Sequence, residues 1–378
     1  MQGVRFQNIP TDEGGEVSTT MERTLAPFSK YPLKIFGKII IIFLVIMIIK
    51  KITFKKIHKW QYDREKEANE IKEQKAYEQR VRDSLVNAAL TADFSIPGDP
   101  TNRPLIVYSY SETEASRANL LFFLEHAVHS QADFVFILNG KTDMDEVIPI
   151  NIPNIRIVTR PNACYDLGSM GEVLAKDNYE LVRKYKRFIL MNSSIRGPFM
   201  PTWAENECWT DKYLGKVNET TKLVGMSYNC HPSRHVQSMI FATDSIGIRI
   251  LLAGNKTDDT LKSDQDYDIP ANPSSMNGLS ICPSNKFRAV SSEISLTSLL
   301  YRASYRVHVL MTAAAVPDYY ETCFHNGEPK EWEHVTPYET LFVKANRNIR
   351  FDINVLDKLT KFHDQWGYSS WKACAPKK

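Results

Sequence analysis

Residues 155–171 read Ile155-Arg-Ile-Val-Thr159-Arg160-Pro-Asn162-Ala-Cys-Tyr-Asp166-Leu-Gly168-Ser-Met-Gly171, and this stretch decides the fold class. Ile155 to Thr159 is a short, mostly apolar strand, Pro161 ends it, and a helical pattern opens near Leu167. Strand, short loop, helix is the building unit of an α/β sheet. Working back along the chain, Phe134–Leu138 is an apolar strand closed by Asn139-Gly140. Before it, a helix from about Thr113 puts Leu120, Phe123, Leu124, Ala127 and Val128 on one face, after the strand Leu105–Tyr110. Working forward, strands are expected at Phe188–Met191, Lys222–Ser227 and Met239–Ala242, then a helix over Ser292–Arg302 and a strand over Arg306–Leu310. The alternation predicts an α/β domain with a mainly parallel sheet and helices on both faces. In such sheets ligands sit beyond the carboxyl ends of the strands.

Upstream of Leu105 the pattern changes. Ile39 to Ile49 is an unbroken apolar run, IIIIFLVIMII. Extended back through Leu33, Ile35, Phe36 and Gly37 it gives roughly 17 to 19 residues, against about 20 for a spanning helix. Lys34 and Lys38 can reach the headgroups on their long stems. A tail over 1–32 followed by a transmembrane helix over 33–51 is therefore expected. A buried core helix is excluded by the flank Lys50, Lys51, Lys55, Lys56 and Lys59. No small-residue cleavage site of a signal peptide follows the run. Residues 52–92 read as a charged helical stalk with i,i+4 charge pairs. Its apolar positions Ile71, Val81 and Leu85 are too sparse for a sustained heptad, which leaves a dimer through the stalk open. The Pro- and Gly-containing segment 93–104 is a linker, and 105–378 is the globular domain.

With 43% hydrophobic residues and 11% aromatics over 378 residues, the chain has ample material for a core. A net charge of +3, with no basic cluster on the globular part, gives nucleic-acid binding no electrostatic footing. Cys164, Cys208, Cys230, Cys282, Cys323 and Cys374 all follow the apolar run, and none has zinc-like spacing. At least one disulfide is expected, with its connectivity open. The lysine-rich flank after the run argues, by the positive-inside rule, for a cytosolic domain. The sequons Asn218-Glu-Thr220 and Asn255-Lys-Thr257 and the placement of the cysteines argue for a lumenal one, which is the orientation expected.

Four segments carry candidate chemistry. In the opening stretch, Gly168 with Gly171 permits close backbone approach, the helix N-terminus favours an anion, Arg160 offers fixed charge, and Asp166 can accept hydrogen bonds from a base or ribose. The competing reading has Asp166 capping the helix and the glycines serving packing. In Phe188-Ile-Leu-Met-Asn192-Ser193-Ser194-Ile-Arg196, an apolar strand ends in small polar groups suited to sugar hydroxyls or phosphate. Arg196 can neutralise a diphosphate, though a plain strand exit has the same pattern. His235 and Gln237 precede a strand and project to the same side of it; a lone histidine is more often structural. Glu293 lies near the start of the helix expected from Ser292, where a carboxylate either complements the helix dipole or serves as a general base.

The ordered segments VYSY, RPNACYDLG, FILMNSSIRGPFMP, KLVGMSYNC, HVQSMIFATD, EISLTSLLYRASYRV and PYETLFVKANR resemble the glycosyltransferase-like proteins related to bacterial rhamnan-synthesis F enzymes. The resemblance covers roughly Leu105 to Arg350. It implies a GT-A-like fold binding a nucleotide-diphosphosugar donor, with Arg160, Asn162, Asp166, Gly168, Asn192, Ser193, Ser194 and Arg196 on the donor side. It also implies His235 and Gln237 at acceptor or diphosphate, and Glu293 as the catalytic base. Where many such proteins carry Asp-x-Asp for Mn2+ or Mg2+, this chain has Asn192-Ser193-Ser194. Without a carboxylate there, either a divalent cation is held weakly through other groups or the enzyme works without metal.

The expectation is thus a single-pass, membrane-anchored glycosyltransferase of the Golgi or another secretory-pathway membrane, acting on a glycan or glycoprotein acceptor. Short tail, anchor, stalk and lumenal domain is also the usual layout of Golgi transferases. Glycans are expected on Asn218 and Asn255. The rival readings are a non-catalytic carbohydrate-binding or scaffolding protein on a transferase-like fold, and a cytosol-facing transferase acting on lipid-linked sugars.

Overall fold

The computed structural model describes residues 33–95, 102–229, 233–254, 277–312, 337–346 and 353–376. The chain divides into two units, residues 1–71 and 72–378.

In the first unit the described residues are the leading part of a 59-residue helix, α1 (Leu33–Thr91). Absence of Gly and Pro after Gly37, and abundant Glu, Lys, Gln and Ala, explain its length. Ile39 to Ile49 are all exposed. Lys34, Lys38, Lys50 and Lys51 close off this run on both sides. Eleven residues at about 1.5 Å each reach only roughly half of a bilayer's hydrocarbon thickness. No helix among the described residues is long and apolar enough to cross a membrane, so the transmembrane helix expected over 33–51 is not found.

The second unit is mixed α/β. Its strands and helices are β1 (Leu105–Ser111), α2 (Glu114–Ala127), β2 (Asp133–Asn139), α3 (Met144–Val147), β3 (Ile155–Arg160), α4 (Tyr165–Lys184), β4 (Arg187–Asn192), β5 (Ile195–Arg196), α5 (Trp209–Leu214), β6 (Thr221–Gly225), β7 (Tyr228–Asn229), β8 (His235–Val236), β9 (Ile240–Asp244), α6 (Ser245–Ala253), α7 (Lys286–Arg302), β10 (Arg306–Val309) and β11 (Val343–Lys344). Residues 353–366 form a further helix near the C-terminus. Helix α4 departs from helical dihedrals at Lys176 to Tyr179.

Seven strands form one sheet in the order β10-β6-β9-β4-β1-β2-β3. The pairs β1–β2, β2–β3, β1–β4 and β6–β10 are parallel, while β9 runs antiparallel between β4 and β6. The central strands Leu105–Tyr110 and Phe134–Leu138 are buried along their whole length, as expected for a sheet covered on both faces. One core cluster joins Tyr108, Phe123, Phe134, Phe136 and Trp209. The other joins Val107, Phe188, Leu190, Phe241 and Leu296.

The end of α1 belongs to this body. Val81 and Leu85, one helical turn apart, are 0% and 1% exposed and sit in the first core cluster. Two such side chains contribute on the order of 1.5–3 kcal/mol each by burial. Arg117 pairs with Glu78 at 2.8 Å, and Tyr77 donates to Glu125 at 2.9 Å. The last turns of the expected stalk are thus core, because an i,i+4 pair suffices to dock a helix without a heptad.

Two disulfides form, Cys164–Cys282 and Cys208–Cys374; Cys230 and Cys323 lie outside the described residues. The chain leaves the described body at Gly254 and returns at Asn277, where Leu279 N donates to Leu251 O at 2.9 Å.

Candidate functional site

The strand order places β2 and β3 on one side of β1 and β4 on the other. The order of the strands across the sheet therefore reverses between β1 and β4, and in open α/β sheets ligands bind beyond the carboxyl ends of strands at such a point. Asn192 ends β4 at that point, opposite Ser109 of β1. Its amide Nδ2 donates to Asp166 Oδ2 across to the start of α4. Its Oδ1 accepts from Ser194 N at 3.0 Å and Ser194 Oγ at 2.6 Å. Leu167 N donates to Asp166 Oδ1 at 3.0 Å. Asp166 is half-buried. Burial pushes its carboxyl up, the Asn192 amide opposes this, and the nearby Glu293 raises it further.

The loop entering α4 is strained. Cys164 and Tyr165 have φ of 70° and 53°, left-handed values that neither residue adopts freely. Cys164 is held there by its bond to Cys282. Tyr165 is 45% exposed, with its ring accessible beside Asp166. Asn162 is exposed as well and accepts from Ser111 Oγ at 3.5 Å, at the carboxyl end of β1.

Glu293 approaches from α7. That helix begins at Lys286, capped by Asn285, whose side chain accepts from Arg288 N at 2.9 Å. The expected start near Ser292 is thus two turns late, because the polar first turns hide the helix in the sequence. Glu293 lies too far along for a helix-dipole role, which fades after the first turn. Its Oε1 accepts from Ser238 N at 2.8 Å, and the next residue, Met239, accepts from Asn192 N at 3.0 Å. Segment 238–239 therefore bridges Glu293 to the end of β4. Asp166, Asn192 and Glu293 thus share one locality.

Seven other expected residues are placed differently. Arg160 is not open to a ligand: it donates to Asn139 Oδ1 at 2.7 Å and Ala163 O at 2.8 Å, and pairs with Glu172. It holds the β3–α4 loop in shape. Gly168 faces protein, since a Cβ there would meet Pro283 Cδ at 2.6 Å and Ile281 O at 2.9 Å. At Gly171 a Cβ would lie 2.0 Å from Leu279 O. Both glycines serve the close packing of 279–283 against α4. Arg196 donates to Asn119 Oδ1 at 2.9 Å and Thr360 Oγ1 at 3.1 Å. Burial pushes its guanidinium down, against the pull of Asp357. His235 is 1% exposed and donates from Nδ1 to Ser233 O at 2.7 Å. Gln237 is buried and accepts from Ser227 Oγ at 2.6 Å. Ser193 is also buried; its N donates to Ser109 O at 3.0 Å, and its carbonyl accepts from Asn119 at 2.9 Å. Asn218 is exposed, with Oδ1 accepting from Thr220 N at 3.0 Å. Asn255 lies outside the described residues.

One residue of the locality was not singled out from sequence. Lys344 stands opposite Ile195 in the β5–β11 ribbon, and the adjoining Ala345 N donates to Ser194 O at 2.8 Å. Burial lowers the Lys344 ammonium, and the charge of Glu293 opposes the shift. Its only trace in the sequence is a lysine closing the apolar run Leu341-Phe342-Val343.

The end of β4 offers no carboxylate to a divalent metal: it reads Asn192-Ser193-Ser194, and Asn192 Oδ1 accepts from Ser194 N and Oγ. Among the described residues the groupings of metal-type side chains lie elsewhere. One is His129 with Cys208 and Cys374, whose sulfurs are bonded to each other; the other is Glu125, His126 and Asp364.

No family model matches the chain, and no curated protein sequence does. Among solved structures, one similar chain is the mannosyltransferase PcManGT from Pyrobaculum calidifontis, in complex with GDP-Man and Mn2+. The match covers 62% of this chain and 65% of that one, at 11% identity and a TM-score of 0.33. It spans slightly less than two thirds of the neighbour, and at that distance it assigns no function.

Proposed function

We propose that the chain is a glycosyltransferase that takes a sugar from a nucleotide-diphosphosugar donor and passes it to a hydroxyl of a glycan or glycoprotein. The observation that carries this reading is the meeting of Asp166, Asn192 and Glu293 beyond the carboxyl ends of β1 and β4, where the strand order reverses. In the reaction, the acceptor oxygen bonds to the donor's anomeric carbon while the bond from that carbon to the diphosphate breaks. Glu293 takes the acceptor's proton, and the nucleoside diphosphate leaves. Asp166 and the exposed Tyr165 and Asn162 hold the nucleoside. The ordered motifs resembling rhamnan-synthesis F relatives agree with this assignment.

The test is a donor-hydrolysis screen across UDP-, GDP- and dTDP-sugars with the full chain in detergent, with and without Mn2+. Turnover that Glu293→Gln abolishes supports the reading. The lack of a strand-end carboxylate favours a second reading, a non-catalytic carbohydrate-binding or scaffolding protein. Nucleotide binding that raises the melting temperature, with no turnover of any donor, would select it.

For location, we propose attachment to a secretory-pathway bilayer through the exposed run Ile39–Ile49, with the domain on the lumenal side. The two disulfides favour an oxidising compartment, and Asn218 is open to glycosylation. Co-sedimentation with membranes that is lost when Ile39–Ile49 are replaced by polar residues, together with a glycosidase-sensitive gel shift reduced in Asn218→Gln, is the expected result. A soluble, unshifted chain would refute it.

A further inference from the structure

The last turn of α2 holds Glu125 and His126, and the last turn of helix 353–366 holds Asp364. Helix α2 leaves the carboxyl end of β1 and hands the chain to the start of the parallel strand β2. Its last turn therefore stands at the opposite end of the sheet from Asn192. The three side chains face one another there. His126 Nε2 is 2.8 Å from Asp364 Oδ1 and 3.9 Å from Glu125 Oε2. A set of one nitrogen and two carboxylate oxygens, one atom from each residue, lies within 4.8 Å.

The imidazole is buried, and its ring packs against Phe122 and His363 with centroids 4.4 and 4.6 Å away. Nδ1 faces Tyr368 O at 3.4 Å, which turns Nε2 to the two carboxylates. Both ring nitrogens thus face acceptors, while a neutral imidazole has one N–H to give. One contact sets lone pair against lone pair unless a cation lies between. The surroundings favour a cation at that point: two carboxylates, and the negative ends of two helices. Tyr77 donates to Glu125 Oε2 at 2.9 Å and steadies that carboxylate from α1. Arg196 spends its guanidinium on Asn119 and on Thr360, one turn before Asp364.

We propose that Glu125, His126 and Asp364 bind one Zn2+ ion, His126 through Nε2 and the other two through one carboxylate oxygen each. Imidazole with carboxylates suits Zn2+ better than Mg2+ or Ca2+, which take oxygen ligands. Tetrahedral zinc with bonds of about 2.0–2.1 Å sets neighbouring ligand atoms about 3.3 Å apart. The two distances from Nε2 fall on either side of that value. The Tyr368 carbonyl on Nδ1 selects the tautomer that leaves Nε2 for a metal. Asp364 is exposed and Glu125 half-buried, so the ion enters from solvent and keeps a water as its fourth ligand. It fastens the end of α2 to helix 353–366, joining His126 to a residue 238 positions away. The site lies away from Asp166 and Asn192, and the inference does not depend on the transferase reading.

The test is calorimetric titration of Zn2+ into the full chain in detergent at neutral pH, without a polyhistidine tag and stripped of metal with EDTA and dialysis. Unaltered protein is compared with Asp364→Asn, Glu125→Gln and His126→Gln, and with Glu180→Gln, which removes an exposed carboxylate from α4. Expected is one ion per chain with a Kd of about 1 μM or tighter. Each of the first three substitutions should weaken it about tenfold or more, and Glu180→Gln should leave it unchanged. Zn2+ at about 100 times the Kd should raise the melting temperature of the unaltered chain by about 5 °C or more, and that of Asp364→Asn far less. If His126→Gln fails to fold, Asp364→Asn and Glu125→Gln decide, since both keep the side chain's shape and alter groups that solvent reaches. Absence of binding tighter than about 100 μM overturns the proposal and leaves His126 as a protonated partner of Asp364. Unchanged affinity in Asp364→Asn and Glu125→Gln overturns it as well, and assigns the ion to other histidines.

Discussion

The side-chain amide of Asn192 donates to the carboxylate of Asp166, joining the last residue of a parallel strand to the first turn of a helix. The bond favours the charged form of a carboxyl that burial pushes the other way. Its removal should shift Asp166 further up. In Asn192→Leu, nucleotide affinity is expected to fall with decreasing pH at a higher midpoint than in the unaltered chain, because a protonated carboxyl no longer accepts two hydrogen bonds from a ribose. Asp166→Asn should abolish that pH dependence and weaken binding by about tenfold. Calorimetric titration across pH distinguishes these outcomes.

Glu293 is held by Ser238 N, leaving its second oxygen for a proton. Glu293→Gln keeps the shape and the accepting oxygen. Donor affinity should stay within about twofold, while transfer drops by roughly 10²–10⁴, the range of a lost general base. Parallel binding and turnover measurements check this. Equal losses in both would assign Glu293 to binding.

The Cys164–Cys282 bond links residues 118 apart and ends one residue before the strained Tyr165. Cys282→Ser should lower stability by about 5 kcal/mol on chain-entropy grounds. It should also loosen nucleotide binding, since Tyr165 and Asp166 follow directly. Denaturant unfolding and binding of one sample read both. Cys208→Ser should destabilise without the binding defect, because that bridge lies away from the site.

His129 and His363 are each 1% exposed, and both are lowered to about 3, His129 by burial and then Arg103, His363 by burial and then His126. Unfolded histidines titrate near 6.5. Between these values the unfolded chain binds more protons, so stability rises with pH. The contribution is complete above about pH 6.5 and is lost as pH falls toward 3, by on the order of 1.4 kcal/mol per pH unit for each residue. Melting temperatures from pH 7 to 4 should fall accordingly. His129→Gln with His363→Gln should flatten the slope.

Leu85→Ala should cost about 2–5 kcal/mol, as a buried leucine does, and a charged substitution at Val81 should cost more. Substitutions at exposed Ile71 should cost little. Chemical denaturation of the three variants tests whether the end of the first helix is structural.

The strands were legible wherever apolar runs are short and bounded: 105–110, 134–138, 155–159 and 188–191 all match observed strands to within a residue at either end. Asp166 and Asn192 were legible because one opens the helix after such a strand and the other closes such a strand. The antiparallel insertion of β9 was not, since strand direction leaves no mark on a five-residue apolar run. Nor were the engagements of Arg160 and Arg196. Charge type suggests a ligand, but partners such as Glu172, Asn119 and Thr360 come from other parts of the chain. Lys344 escaped notice because its setting is made by Ser194 and Glu293, both distant in sequence. The apolar run before residue 50 promised a bilayer span, but its flanking lysines make it too short to be one.

The bond from Leu279 N to Leu251 O fastens the segment that carries Cys282 to the last turn of α6. Cys282 is bonded in turn to Cys164 at the entrance of α4. The segment therefore has two moorings of different chemistry, and a reductant releases only one of them.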